Sequence, residues 1–517
     1  MSNNTSKVAR GATFLFISNI VALIVVTLHF IVLTNTLSTT EIGIIFAFQL
    51  IMYGIATLAN FSLPLPIMSP MPLLNIISKI LPEQIQSNNL NKAKSAFIKT
   101  LSVSIILSLI FVILMINYTD LLERIIFENE ISNIIKIAGI QIFFFSINQF
   151  LFASLLGLNK SDTAGIFQII SLTAKYMLSA FLAYMGFGMF GVIIGYLIGD
   201  LLFTIMSLPK CLEVMKVKSS DTSIFPIMKN SLYVLSSSII IFGVTQLDRV
   251  LTLTNFGLPE LSIYTIALAA STIGAYAPNS MSMALIPNLS GMLANNKIES
   301  FKITSKKYIR YISIIGFPTS FAVAALAMPL TRIFGEEYVA SAVPAAILSI
   351  AVGITAFTSV YNSQLFASSK VNKILIANII GLGIFTIIIS YTDNLLRIND
   401  FAIARAIMMI ITSILISYFS YKAGFFVIDK KAIINCFTAS TIMGLCLLFS
   451  SLYLNNVMSN GFMIITLMPI GMLIYFFTLR ILKTFNEDDL EFIKRTIPLK
   501  SDTIRKILGI NKKSTFQ

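Results

Sequence analysis

Six side chains put ionisable chemistry into stretches that are otherwise almost wholly apolar: His29, Lys175, Asp200, Asp248, Arg249 and Arg405. A sheltered ammonium or guanidinium can hold an anion, above all a phosphate, whose oxygens accept several charge-assisted hydrogen bonds. A sheltered carboxylate can position such a cation or take up H⁺ or Na⁺. An imidazole can carry a proton. Covalent catalysis is not indicated, because no second carboxylate at working spacing, metal cluster or nucleophile–base set accompanies these residues. Cys211, Cys436 and Cys446 form no CxxC, and with one histidine in the chain neither a zinc site nor a disulfide framework is expected. Arg249, Lys175 and Arg405 are therefore candidates for binding an anionic group, and Asp248, Asp200 and His29 for coupling or for positioning those cations. No catalytic residue, metal or cofactor is expected beyond H⁺ or Na⁺ coupling.

The elements that carry these residues are membrane spans. The 517-residue chain is 56% hydrophobic and 12% charged, with a mean hydropathy of +0.86, more apolar surface than a soluble domain can cover. A span needs about 20 apolar residues. That rule yields fourteen: 11–34, 42–64, 98–118, 133–156, 165–185, 188–209, 229–251, 261–290, 308–331, 340–367, 374–392, 400–421, 432–454 and 461–482. The eighth, with Pro278 and Pro287, is a candidate for a kink. The run after Lys7 and Arg10 is too long for a signal peptide and reads as the first span.

With the N-terminus in the cytoplasm, the cytoplasmic segments hold 26 Lys or Arg, and the outside loops hold three (Arg124, Arg332 and Arg397) with nine acids. This bias places both termini in the cytoplasm of a multi-pass plasma-membrane protein. It also accounts for the net charge of +14 without nucleic acid. NKAKSAFIKT (91–100) and the tail EDDLEFIKRTIPLKSDTIRKIL (487–508) read as amphipathic interfacial helices.

The two halves echo each other. TEIGIIFAFQL (40–50) corresponds to PELSIYTIALA (259–269), Thr34-Asn35 to Thr254-Asn255, and Pro66-Ile67-Met68-Ser69 to Pro287-Asn288-Leu289-Ser290, at an offset close to 220. Six intervening spans, an even number, insert both copies in the same orientation. The expected fold is thus an all-α polytopic membrane protein with two parallel six-helix lobes and two C-terminal helices. Its segments are an N-terminal lobe over 1–209, a cytoplasmic linker over 210–228, a C-terminal lobe over 229–422, extra spans over 423–482 and a cytoplasmic tail over 483–517.

Within that frame Lys175 lies roughly 16 Å into span five and Asp200 roughly 18 Å into span six, so the two can pair near mid-depth. Asp248 and Arg249 lie near the outer end of span seven, in GVTQLDRVLTLTNFG (243–257). Neighbouring helix residues point about 100° apart, so these two do not naturally pair with each other. One can face a neighbouring helix and the other a cavity. Arg405, about a turn into span twelve, either joins the path or snorkels to the outer interface. His29 is either a hydrogen-bonded helix contact or proton-linked. Asn60, Gln141, Gln149, Gln168, Gln246 and Asn279 read chiefly as interhelical glue.

These segments carry a resemblance. GVTQLDRVLTLTNFG resembles the Gln-x-x-Asp-Arg segment of span seven in polysaccharide flippases of the multidrug/oligosaccharidyl-lipid/polysaccharide exporter superfamily, the Wzx-type polysaccharide biosynthesis proteins. SIYTIALAASTIGAYAPNSMSMALIPNLSGML (262–293), LTRIFGEEYVASAVPAAILSI (330–350) and TLRILKTFNEDDLEFIKRTIP (478–498) are similar to its span eight, the outer turn before span ten, and its tail. The resemblance covers essentially the whole chain, and order and spacing carry it. It implies a MATE-like fold that alternates access. The implied activity is transfer of a polyprenyl-phosphate- or polyprenyl-pyrophosphate-linked oligosaccharide from the cytoplasmic to the outer leaflet, for cell-surface polysaccharide or glycoprotein assembly. The implied partners are the lipid-linked glycan, the bilayer and glycan-assembly enzymes, with the monomer as the working unit.

Two departures narrow it. Peptidoglycan-precursor flippases of the superfamily carry an acid–base pair early in span eight and arginines deep in span one. Here those positions hold Thr265, Ile266, Ala267 and Leu268, and span one has only Lys7 and Arg10 at its inner end. Drug exporters of the superfamily often need an acid in span one, which is missing, yet Asp248 keeps a cation-coupled small-molecule exporter as the alternative.

Overall fold

Helices begin where side chains can satisfy the first unpaired amides. Ser38 opens one such helix with a reciprocal capping box: the Glu41 backbone N–H donates to Ser38 Oγ (3.3 Å), and the Ser38 N–H donates to Glu41 Oε2 (2.9 Å). Asp400 closes the Arg397 N–H in the same way at 2.7 Å. The computed structural model describes residues 21–59, 90–127, 131–158, 160–212, 225–391, 397–454 and 458–486. Every regular element among them is helical. The principal helices are α1 (Val21–Thr36), α2 (Thr39–Ala59), α3 (Leu90–Asn117), α4 (Ser132–Gly157), α5 (Ser161–Leu182), α6 (Gly188–Leu212), α7 (Phe225–Phe256) and α8 (Leu258–Thr272). They continue as α9 (Tyr276–Ala294), α10 (Ile298–Ala325), α11 (Ala342–Thr355), α12 (Thr358–Ala367), α13 (Val371–Tyr391), α14 (Ile398–Lys422), α15 (Lys430–Leu454) and α16 (Asn460–Ile481).

Eleven stretches among the described residues are long and apolar enough to cross a membrane, against the fourteen expected. Ser161–Leu212 counts among them once, although it is broken at 183–187. Val21–Thr36 is a shorter apolar helix, and α7, with its Gln246–Arg249 polar patch, is not among the eleven. Two expected spans are interrupted. The eighth is split by a 3₁₀ turn at Ile273–Ala275, just before Pro278 removes a backbone donor from the first turn of α9. The tenth is divided into α11 and α12. Residues 91–100 do not form a separate interfacial helix but the first turns of α3. Lys7, Arg10, Asn60, Pro66–Ser69 and the tail 487–508 lie outside the described residues.

The chain forms two compact units: one holds the chain through Ile266 with Phe334–Ala340 and Leu375–Arg405, the other Ala267–Ile333, Ser341–Ile374 and the chain from Ala406. In the first, Phe46, Phe48, Ile135, Ile142, Val192 and Tyr338 belong to one buried core. In the second, Phe317, Cys436, Met443, Leu467 and Leu479 do the same. Large apolar side chains also point outward: Ile106, Ile110 and Ile113 on α3, and Phe449, Ile465 and Met472 on α15 and α16. On a water-facing surface such stripes would be a liability, whereas hydrocarbon accepts them. The chain is a multi-pass membrane protein.

The contact that matters most to the polar residues is between α5 and α6. Gly191, Gly195 and Gly199 repeat every four residues along one face of α6, the small-residue spacing that lets apolar helices approach backbone to backbone. A methyl at Gly199 would overlap the Lys175 backbone, and one at Gly195 would overlap that of Ser179. The turn that returns the chain uses Gly186 (φ 88°) and Gly188 (φ 57°), both in the left-handed region. We expect Gly199→Leu to force α6 off α5 at a cost of about 1–3 kcal/mol or more, read as a lower unfolding temperature in detergent. An unchanged temperature would show that the approach is slack.

Candidate functional site

All six ionisable candidates fall in the first unit. They gather into three hydrogen-bonded groups, and each group can be built from the helices that carry it.

The first group lies where α4, α5 and α6 meet. Close approach at Gly199 brings Lys175 beside Asp200, and Lys175 Nζ donates to Asp200 Oδ2 at 2.9 Å. Gln141 Nε2 donates to the same oxygen at 2.6 Å. Asn148 Nδ2 lies 3.4 Å from Asp200 Oδ1 and donates to the Asp200 backbone oxygen at 2.9 Å. Thr204 Oγ1 donates to Asn148 Oδ1 at 2.6 Å and so fixes that amide. The ammonium also stands over the rings of Tyr196 (5.0 Å) and Phe145 (5.5 Å). The Lys–Asp pairing is the one expected from depth alone. Gln141 is indeed glue between helices, glue that solvates a buried carboxylate. Asn148 is absent from the residues the sequence points to, yet its signal is there: it follows Gln141 by seven residues, two helical turns on the same face.

The second group is around His29, which is fully buried. Its Nδ1 lies 3.1 Å from the Tyr176 carbonyl, and its Nε2 lies 2.9 Å from the Tyr196 hydroxyl. A carbonyl only accepts, so a neutral ring carries its proton on Nδ1 and accepts from Tyr196 at Nε2. Ser179 Oγ is 3.0 Å from the same Nδ1. Of its two readings, His29 has the contacts of the hydrogen-bonded helix junction.

The third group answers why an acid and a base sit side by side in α7. They turn to different partners. Asp248 Oδ2 accepts from Arg405 Nη1 at 2.5 Å and from the Tyr264 hydroxyl at 2.8 Å. Arg405 does not snorkel outward but reaches into the unit, with Thr245 O a further 3.4 Å neighbour. Arg249 donates from Nε to Thr265 Oγ1 (3.2 Å) and from Nη1 to Gln246 Oε1 (3.0 Å). Both acceptors are neutral. Its Nη2 is buried with no hydrogen-bond partner, and its guanidinium carbon lies 5.7 Å from the Phe46 ring. Arg249 is only 7% exposed. The sequence reading takes Gln246 as interhelical glue and does not place Tyr264 or Thr265 in the site. Tyr264 and Thr265 sit sixteen and seventeen positions from Asp248 in sequence, one helix further on, where only packing can bring them back.

The charges of these groups do not cancel. Asp200 has Lys175, and Asp248 has Arg405. Among the described residues Arg249 forms no ion pair, so these three groups carry one sheltered positive charge in excess, and its Nη2 has no hydrogen-bond partner. Asp200 and Asp248 are the only buried acids among the described residues. Among those residues, no three His, Cys, Asp or Glu side chains gather as a metal site would require. The arrangement suits reversible binding of an anion by charge-assisted hydrogen bonds, in surroundings where an unpaired charge is costly and therefore selective.

Comparison with known proteins places the chain by family and by fold. Residues 78–344 match the polysaccharide biosynthesis protein family. No curated protein sequence matches the chain. Among solved structures, lipid II flippase MurJ in an inward closed conformation is similar over 91% of this chain and 98% of its own, at 16% identity and a TM-score of 0.66. An inward-facing multidrug resistance MATE family transporter of the MOP superfamily is similar over 82% and 95%, at 16% identity and a TM-score of 0.61. The Vibrio cholerae MATE transporter VcmN is similar over 82% and 98%, at 13% identity and a TM-score of 0.58. These likenesses establish that the chain has the fold shared by MurJ and the MATE transporters. With its matched segment spanning more than half of the 517 residues, this chain belongs to the polysaccharide biosynthesis protein family.

Proposed function

We propose that the protein moves a polyprenyl-phosphate- or polyprenyl-pyrophosphate-linked oligosaccharide from the cytoplasmic to the outer leaflet by alternating access. The observation that carries this reading is Arg249, a sheltered guanidinium with no carboxylate partner among the described residues and an Nη2 amino group that makes no hydrogen bond. A glycan headgroup cannot cross hydrocarbon unaided, since its hydroxyls would lose their water. A phosphate gives the protein a handle: one negative charge at Arg249 would complete its hydrogen bonding and neutralise the excess charge. The family match and the fold support the same activity. Asp248 and Asp200 position the cations, Lys175 and Arg405 hold those acids in place, and glycan-assembly enzymes on either side supply and consume the lipid. The orientation with both termini in the cytoplasm follows from the loop charges.

The cation-coupled exporter has less support. Each buried acid already has an internal cation, at 2.9 and 2.5 Å, and only Asp248 Oδ1 has no hydrogen-bond partner to offer H⁺ or Na⁺. The test is a leaflet assay on purified protein in liposomes. A polyprenyl-pyrophosphate oligosaccharide is loaded into one leaflet, and its arrival in the other is followed with an impermeant sugar-modifying reagent. Protein-dependent transfer is expected. Absence of transfer together with cation-driven efflux of a small dye would reverse the assignment.

A further inference from the structure

The charges around Arg249 bear on how many phosphates the lipid carries. Among the described residues of the first unit, the sheltered cations are Lys175, Arg249 and Arg405, and the sheltered acids are Asp200 and Asp248. Lys175 is closed on Asp200 at 2.9 Å and has no charge to spare. The partners of Arg249 itself are neutral: Thr265, Gln246 and the Phe46 ring. Asp248 and Arg405 both act on its charge from close by, with opposite sign, and are paired with each other. The local sum is one positive charge.

A second observation sets the sign of any further charge. Asp248 takes its side-chain hydrogen bonds from Tyr264 and Arg405 on Oδ2, while Oδ1 is buried and has no partner. A bare carboxylate oxygen on the residue next to Arg249 repels a further anionic group. With water excluded, a negative charge beyond the one that Arg249 neutralises stays uncompensated, and taking it out of water is costly. The two lipid classes differ in this quantity. A glycan joined through one phosphate is a phosphodiester with a single negative charge. A glycan joined through pyrophosphate brings two. Two spare cations would favour the second class, and one spare cation favours the first.

We propose that this site prefers a polyprenyl-monophosphate-linked glycan to a pyrophosphate-linked one, and that Asp248 sets the preference by holding the excess at one charge. The proposal rests on the flippase reading and narrows its substrate. The pyrophosphate lipid is a weaker ligand rather than an excluded one, since Arg249 still takes one of its charges.

The test is equilibrium binding of two radiolabelled lipids to purified full-length protein. One is a polyprenyl phosphate and the other a polyprenyl pyrophosphate of equal chain length, each bearing the same neutral hexose. The monophosphate lipid is expected to bind about tenfold more tightly or better, because the second charge finds no partner. Asp248→Asn raises the excess to two charges and should close or reverse that gap. Gln246→Glu gives Arg249 a carboxylate of its own, cancels the excess, and should weaken both lipids alike. The comparison of lipids on the unaltered protein needs no variant, so poor folding of Asp248→Asn cannot mask the result. Equal or tighter binding of the pyrophosphate lipid would overturn the preference and leave the flippase reading standing. A gap that persists in folded Asp248→Asn protein would show that the charge count does not set it, and undiminished binding in Gln246→Glu would place the phosphate away from Arg249; either overturns the proposal. Binding of neither lipid would overturn the flippase reading and the preference with it.

Discussion

Arg249→Met is expected to cut lipid-linked glycan transfer by roughly a hundredfold or more, with the protein as stable as before or more so. The two halves of this result have separate causes. A phosphate bound by a guanidinium gains charge-assisted hydrogen bonds worth about 1.5–3 kcal/mol each, so losing two removes roughly two or more powers of ten. The folded protein gains little from Arg249 itself. Its charge is out of water, its two hydrogen bonds go to neutral Thr265 and Gln246, and Nη2 makes none. A sheltered, unpaired cation is a cost that an apolar side chain of similar length relieves. Transfer in the leaflet assay and unfolding temperature in detergent should therefore move apart. Loss of both together would show that Arg249 is a structural residue. Arg249→Lys keeps the charge but not the planar fork, and is expected to restore only part of the transfer.

Asp248→Ala should do the reverse and cost stability first. Asp248 is 3% exposed and takes hydrogen bonds from both Arg405 and Tyr264 on a single oxygen. Without it, Arg405 and Arg249 become two sheltered cations with no acid between them. Breaking a buried pair by removing one partner costs about 3–5 kcal/mol. The double change Asp248→Asn with Arg405→Met removes both charges and should recover most of that loss, as measured by unfolding temperature. A double variant no more stable than the single would show that the pair is not coupled. Arg405→Ala alone should also reduce transfer: Asp248, released from its partner, becomes a competitor for the cation that the phosphate needs. A transfer rate that survives Arg405→Ala would show that Asp248 keeps its place without the ion pair.

The polar groups illustrate how much could be read beforehand. Depth along two spans puts Lys175 and Asp200 at one level, where they can pair, because helical rise converts residue number into distance. The Gln-x-x-Asp-Arg stretch marked its helix, since charge in an apolar run is too costly to be incidental. Which partner each charge would choose was another matter. Arg405 was ambiguous between snorkelling and pairing, because a long side chain one turn from an interface can reach either way. Tyr264 and Thr265 carry no charge to betray them. Asn148 looked like any interhelical amide until Asp200 was seen beside it. The division of the eighth expected span at Ile273–Ala275 had a visible cause in Pro278, whereas the break between α11 and α12 follows no proline at that point and came only with the packed structure.

By itself the sequence determined that this chain is an all-helical, multi-pass membrane protein. Hydropathy, span length and loop charge are properties of segments taken one at a time, and the bilayer acts on each segment in turn. It also determined which side chains were expensive enough to need a reason. Only the tertiary structure decided that Asp200 and Asp248 are each neutralised from another helix, leaving Arg249 with a sheltered charge to spare. Pairing between helices depends on close approach, such as the α5–α6 contact that Gly199 permits, and on side-chain reach across it. Neither is a property of any single segment.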